Sequence, residues 1–279
     1  MSNDKRALVT GANTGIGKVT ALELAKRGYA VTLACRNLDK GAEARDEIAA
    51  EVSGADLSLL ALDLSSLASV REAAAAELAD ERPLHLLVNN AGLAAQKGQT
   101  VDGFELAFGV NHLGHFLFTE RLRDKLVASA PARIVIVASR AHMRVNGIDF
   151  DAVTAPTKTP TGFPEYCVSK LANVLHAREL ARRLEGTGVT VYALHPGVVA
   201  SDVWRKVPAP FRWMIKRFMI TNEEGAATSV YCATAPELAE VTGRYYDESR
   251  EATPSKTAQD DALAAELWRR SVAWTKSDA

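Results

Sequence analysis

The sequence predicts an α/β fold: a single-domain, doubly wound parallel sheet with helices on both faces. Three observations carry this prediction. Short apolar runs of strand length alternate with longer stretches of helical spacing from Ala7 to Leu194. Those runs are continuous rather than alternating, the pattern of strands covered on both sides, and right-handed crossovers place covering helices on each face. No second strand–helix series restarts, and 279 residues suit one large domain.

The first strand is Ala7-Leu8-Val9, followed by a glycine-rich turn and helical spacing over Val19 to Arg27. Ala30 to Ala34 reads as the second strand and Leu38 to Glu51 as a charged, alanine-rich helix. Leu57 to Leu62 is the third strand, and the helix from Leu67 to Ala79 has Ser65 or Ser66 as its cap. Leu84 to Val88, Ile134 to Ala138 and Val189 to Leu194 continue the strands, with helices around Phe104–Val127 and Tyr166–Leu184 between them. Two segments break the rhythm. Met143 to Pro164 carries Pro156, Pro160 and Gly162 and reads as an irregular loop. Residues 200–222 follow the carboxyl end of a strand, where open α/β sheets bind ligands, and read as a substrate lid. The expected core runs from about 5 to 250, with 251–279 as a C-terminal extension.

Composition narrows the function. Lys+Arg (33) and Asp+Glu (34) nearly cancel, which gives a nucleic-acid role no support. Cys35, Cys167 and Cys232 are far apart and form no ligand cluster, so neither a metal site nor a disulfide framework is expected. His112 and His115 lack a third ligand at suitable spacing and read as packed or locally bonded. The polar start, Met1 to Arg6, lacks a signal-peptide pattern and no stretch has the length of a membrane span. The expectation is a cytoplasmic protein without stable membrane insertion; the mixed aromatic and basic run Phe211 to Ile220 reads as part of the lid.

The chemistry lies at strand ends. Thr10-Gly11-Ala12-Asn13-Thr14-Gly15-Ile16-Gly17 joins the first strand to the first helix. Glycines there permit a tight turn and close approach of backbone to a pyrophosphate, which the helix N-terminus attracts. The second strand ends in Cys35-Arg36-Asn37, with no acid where an NAD site places one on the ribose. A guanidinium there suits a 2′-phosphate, so Arg36 predicts NADP over NAD. Asp63 and Leu64 follow the third strand, and Asn89-Asn90-Ala91-Gly92 the fourth, in phase with the path of such a cofactor. Each alone is also an ordinary turn. Tyr166 and Lys170, four apart on a helix, share a face, so an ammonium neighbours a phenol and favours its ionised form. Ser139, after its strand, has a hydroxyl for a substrate oxygen.

With these motifs in order, the sequence resembles the short-chain dehydrogenase/reductase family. TGANTGIG, NNAG, VNHLGHF, YCVSK and HPGVV span Thr10 to Val199, and ACRN, VNHLGHF and HPGVVASDVWR resemble its retinol dehydrogenase-like branch. The resemblance implies a Rossmann-type fold. It implies Tyr166 as general acid/base, Ser139 polarising the substrate oxygen, and Lys170 lowering the Tyr166 pKa and holding ribose hydroxyls. It further implies Asn111 positioning a water in a relay to Lys170. Pro196, Gly197, Val198 and Val199 would receive the nicotinamide carboxamide, with Ser201 near the diphosphate. Position 138 is Ala where many relatives have serine, and Ser201 replaces a usual threonine. The function expected is an NADP(H)-dependent oxidoreductase, a carbonyl reductase or alcohol dehydrogenase, moving a hydride between nicotinamide (NADPH) and a small apolar carbonyl/alcohol substrate. The family habit of dimers and tetramers implies a homodimer or homotetramer. A non-catalytic NADP(H)-binding sensor or scaffold on the same fold is the alternative, and a cofactor-retaining epimerase or dehydratase a third.

Overall fold

Continuous apolar strands need a helical layer on each face, and the chain supplies both. A computed structural model describes residues 5–197 and 221–276. Its strands are β1 (Arg6–Thr10), β2 (Ala30–Cys35), β3 (Leu57–Ala61), β4 (Leu86–Asn89), β5 (Ala132–Val137), β6 (Val189–His195), β7 (Arg244–Asp247) and β8 (Arg250–Ala252). Their order is β3-β2-β1-β4-β5-β6-β7-β8, with every neighbouring pair parallel except β7 with β8. This is the doubly wound parallel sheet expected.

Strand side chains alternate between two cores, as the period of two requires. Ala7, Val9, Val31, Leu33, Val135 and Val137 pack beneath α1 (Gly15–Lys26), α2 (Leu38–Glu51) and α6 (Asn222–Thr234). Leu8, Ile134, Ile136, Val191 and Ala193 pack on the other face against α3 (Leu67–Ala79), α4 (Gly114–Ala128), α5 (Phe163–Arg183) and α7 (Asp261–Thr275). The ends of α2 and α3 match the sequence reading because polar caps fix them. Asn37 accepts from the Lys40 N–H at 2.9 Å, and Ser66 from that of Ser69 at 3.3 Å.

Three elements differ from expectation. Helix α1 starts at Gly15 rather than Val19, since the glycine turn itself forms the first helical turn. The helix expected over Phe104–Val127 begins as a short turn (Leu106–Phe108) and a π-helical stretch (Gly109–Leu113) before α4. Residues after 221, for which the sequence suggested no regular elements, form α6, β7, β8 and α7. Within the stretch read as an extension, α7 buries Ala264, Leu267 and Trp268. The Trp268 ring lies 4.9 Å from that of Phe116, and the Arg183 guanidinium stacks 4.3 Å above it. The expected lid falls outside the described residues except for Thr221 and Asn222, where Thr221 caps α6.

The two poles of the sheet are built differently. At the amino ends of the strands, Arg6 Nη2 donates to both Glu77 carboxylate oxygens, at 2.7 and 2.5 Å, and Lys125 Nζ lies 3.3 Å from Glu77. At the carboxyl ends, strand order reverses between β1 and β4, and the crevice such a reversal leaves is where ligands bind.

Three buried histidines, His112, His115 and His176, occupy the layer of α4, α5 and α7. Burial holds His115 at about 4 and His176 at about 3, and pushes His112 well below its ordinary 6.5. All three are neutral when folded, and the unfolded chain binds protons more readily. Such a group costs nothing above pH 6.5 and destabilises progressively below it, by up to about 1.4 kcal/mol per pH unit for each histidine. Urea midpoints should therefore fall more steeply between about pH 6.5 and 5 than between about pH 8 and 7, where the buried Lys170, lowered to about 7, still contributes a slope. His176→Phe should reduce that slope. A midpoint independent of pH across the lower window would contradict the neutral assignment.

Candidate active site

The turn after β1 is tight because its glycines leave no alternative. Gly11 and Gly15 have φ of 66° and 56°, in the left-handed region. At Gly17 a Cβ would lie 2.3 Å from the Gly11 carbonyl oxygen and 2.4 Å from Asn90 Nδ2, so only glycine lets α1 sit this close to the strands. The helix N-terminus then faces the crevice, with Gly11, Asn13, Thr14, Gly15, Ile16 and Gly17 lining it. This close-packed turn fits a dinucleotide pyrophosphate.

One hydroxyl ties the turn to the next strand. Thr10 Oγ accepts from the N–H groups of Asn90 and Ala91, both at 2.9 Å, and lies 2.9 Å from His115 Nε2. His115 is neutral, and its Nδ1–H donates to the Asn111 carbonyl at 3.1 Å, so its Nε2 accepts the hydrogen bond of the Thr10 hydroxyl. Asn90 Nδ2 donates back to the Thr10 carbonyl at 2.8 Å. Every polar atom of this bridge is satisfied.

Asn111 is buried in the π-helical stretch and its amide is fully engaged. Oδ1 accepts from Leu93 N–H, while Nδ2 donates to the Leu93 carbonyl and to Ser169 Oγ, each at 2.9 Å. The side chain thus braces the Gly92–Leu93 loop. A Cβ on Gly92 would lie 3.2 Å from Asn111 Oδ1 and 3.6 Å from Lys170 Nζ.

Ser139 extends from β5 and caps the turn Arg140–Arg144, its Oγ accepting from Ala141 N–H at 3.2 Å. The same hydroxyl neighbours the Tyr166 phenol in the cavity. Lys170 Nζ donates to the Val137 carbonyl at 2.8 Å and lies 5.8 Å from the Tyr166 ring centre. The electrostatics differ from the sequence expectation. Burial raises the Tyr166 phenol above its ordinary value, and the smaller downward pull comes from the neighbouring Ser139 hydroxyl. Lys170 is itself buried with no acid partner among the described residues, and that burial lowers it to about 7.

These groups share one cavity of about 800 Å³. It brings together Ser139, Tyr166 and Lys170 with Arg36, Asp63, Leu64, Asn90, Ala91, Gly92, Pro196 and Gly197. Asn111 stands behind the wall, while Val198, Val199 and Ser201 lie outside the described residues. Arg36 is exposed at the end of β2 and has no ion-pair partner among the described residues. Asp63 is turned inward, its Oδ1 accepting from Ser65 N–H at 2.9 Å and from Ser65 Oγ at 2.7 Å. The sequence reading did not select Leu93, Leu106, Val110, Met143, Phe163 or His195 as lining residues. The strand-end rule that selected Ser139 reaches His195 and Met143 equally well, but the apolar wall needs the fold. Among the described residues, no group of three or more His, Cys, Asp or Glu is placed to hold a metal ion.

Comparison with known proteins agrees with this architecture. The short chain dehydrogenase family model matches residues 5–210. Retinol dehydrogenase 12 of Homo sapiens is 46% identical over 267 residues, covering 95% of this chain and 84% of that protein. Retinol dehydrogenase 13 of Homo sapiens is 44% identical over 280 residues, covering 96% and 83%. Among solved structures, an uncharacterized protein from Mycobacterium paratuberculosis matches with a TM-score of 0.78 at 31% identity, covering 98% of this chain and 94% of that one. These likenesses define the class: an oxidoreductase that uses a nicotinamide dinucleotide. The chain belongs to the short-chain dehydrogenase/reductase family, in its retinol dehydrogenase-like branch.

Gly17→Ala tests the cradle. The added methyl has no room, so α1 must move away from Gly11, and nicotinamide dinucleotide affinity should fall about 100-fold or more. Titration by cofactor fluorescence, with a melting curve to establish folding, measures this. Unchanged affinity in a folded variant would show that the pyrophosphate sits elsewhere.

Proposed function

We propose that this protein is an NADP(H)-dependent carbonyl reductase or alcohol dehydrogenase for apolar substrates, with Tyr166 as general acid/base. The observation that carries the reading is that Ser139, Tyr166 and Lys170 line the same cavity as the glycine turn. When bound, the nicotinamide supplies or accepts the hydride.

The protein's own groups manage the proton. A phenol raised by burial is protonated near neutral pH, which suits Tyr166 to donate from Oη to an oxygen gaining negative charge. That state favours carbonyl reduction. Ser139 Oγ already accepts a backbone N–H, so its own hydrogen is available to the phenol or to a substrate oxygen. Lys170 uses one donor on Val137, leaving donors for ribose hydroxyls beside Gly92. Asn111 keeps the Gly92–Leu93 loop in place for this contact. Leu93, Leu106, Val110, Met143 and Phe163 support an apolar substrate. The unpaired Arg36 supports a 2′-phosphate and hence NADP(H). Three unpaired cysteines support a reducing compartment, the cytoplasm.

Tyr166→Phe should lower kcat about 1,000-fold while leaving NADPH affinity within about twofold. Full turnover in that variant would remove Tyr166 from the chemistry. A wild type inactive on aldehydes, ketosteroids and retinal alike would favour a cofactor-binding sensor. Arg36→Leu should raise the KM for NADPH about tenfold or more with little effect on NADH. A wild type that prefers NADH would overturn the 2′-phosphate assignment.

A further inference from the structure

We infer that His142, which does not line the cavity, is a positioning residue for the Ser139 hydroxyl, acting as an Nδ1–H imidazole strung between Ser139 and Ser255. The inference rests on the function proposed above for Ser139. His142 is completely buried. Its Nε2 lies 3.1 Å from the Ser255 backbone nitrogen, and its Nδ1 lies 2.6 Å from the Ser139 carbonyl oxygen. A backbone N–H only donates, so Nε2 must be the bare nitrogen. A carbonyl oxygen only accepts, so Nδ1 must carry the proton. Both ends demand the same tautomer.

The geometry explains why Ser139 needs this anchor. Ser139 leaves β5 in extended conformation and immediately caps a five-residue 3-10 turn, Arg140–Arg144. Short 3-10 turns have poor hydrogen-bond geometry and hold little by themselves. Inside the turn, Ser139 receives the Ala141 N–H on its hydroxyl at 3.2 Å and the His142 N–H on its carbonyl at 3.1 Å. The imidazole adds a second, shorter bond to that carbonyl and carries it out of the turn to the segment that precedes α7. The Tyr245 ring of β7 packs across the imidazole with centres 5.1 Å apart and limits its rotation. Fixing the Ser139 carbonyl fixes its peptide plane, and with it the direction in which the hydroxyl meets Tyr166.

Two substitutions separate the two ends. In His142→Asn the amide nitrogen takes the place of Nδ1 and keeps a donor for Ser139, giving up Ser255. In His142→Gln the amide oxygen takes the place of Nε2 and keeps an acceptor for Ser255, giving up Ser139. The Gln variant should lose about tenfold in kcat, with KM and NADPH affinity within about twofold. The Asn variant should keep kcat within about threefold while melting at a lower temperature than wild type. A readout independent of turnover is the 15N spectrum of histidine-labelled, cofactor-free protein, where one imidazole signal of the Nδ1–H form should vanish in both variants.

An Nε2–H form at His142 would overturn the inference. So would equal kcat in the Asn and Gln variants, or full kcat in Gln alongside an inactive Tyr166→Phe; in that last case the proposed function stands and only the role of His142 falls. A wild type inactive on every carbonyl would overturn both.

Discussion

The hydroxyl of Thr10 holds the two halves of the sheet in register where their order reverses. It accepts from the backbone N–H groups of Asn90 and Ala91 and donates its own hydrogen bond to His115 Nε2. A switch point is a natural place for a ligand because the chain leaves it on both sides, and for the same reason nothing in the strand ladder closes it. The ladder between β1 and β4 ends at Val9 and Val88. Beyond that register, side chains must replace the backbone pairing. His115 relays the constraint to the carbonyl of Asn111, whose amide braces Leu93. Through Ser169, which bonds both the Asn111 amide and the Tyr166 carbonyl, the glycine turn and the helix that bears Tyr166 and Lys170 are parts of one buried network.

The opposite poles of the strands show two ways of treating buried charge. At the amino pole, Arg6, Glu77 and Lys125 are closely paired, and their mutual attraction offsets the loss of water. At the carboxyl pole, Lys170 is buried among neutral hydrogen-bonding groups, and its pKa falls toward 7 instead. A paired lysine would be fixed as a cation. An unpaired one stays close to the point where it gains or loses a proton, and Lys170 holds that state beside the Tyr166 ring. The same desolvation keeps Tyr166 protonated.

Most of the fold was legible because local signals agreed with the global one. Asn37 and Ser66 mark helix starts that no tertiary contact had to correct. The glycine turn was legible as chemistry but misled as structure, since Gly15 and Gly17 are weak helix formers that nevertheless open α1. The π-helical stretch was invisible, because its cause is the fit of Asn111 and His115 between distant segments. Strands β7 and β8, of four and three residues, are too short for a periodic signal. Within the site, residue types at strand ends marked Ser139, Arg36 and the NNAG run. The depressed Lys170, the raised Tyr166 and the link from His142 to Ser255 arise from burial and long-range contact, which a linear reading does not contain.

Helix α7 has a consequence for biosynthesis. It closes one core by laying Trp268 over Phe116 and beneath Arg183, yet it comes after every strand in the chain. A polypeptide made from its amino end can pair β1 through β6 while residues 261–275 are still within the ribosome. Until they emerge, the faces of α4 and α5 that receive Trp268 stay wet, and the nascent protein carries an apolar surface that invites chaperones or its own kind. Completion of this fold is thus timed by translation of its last described helix.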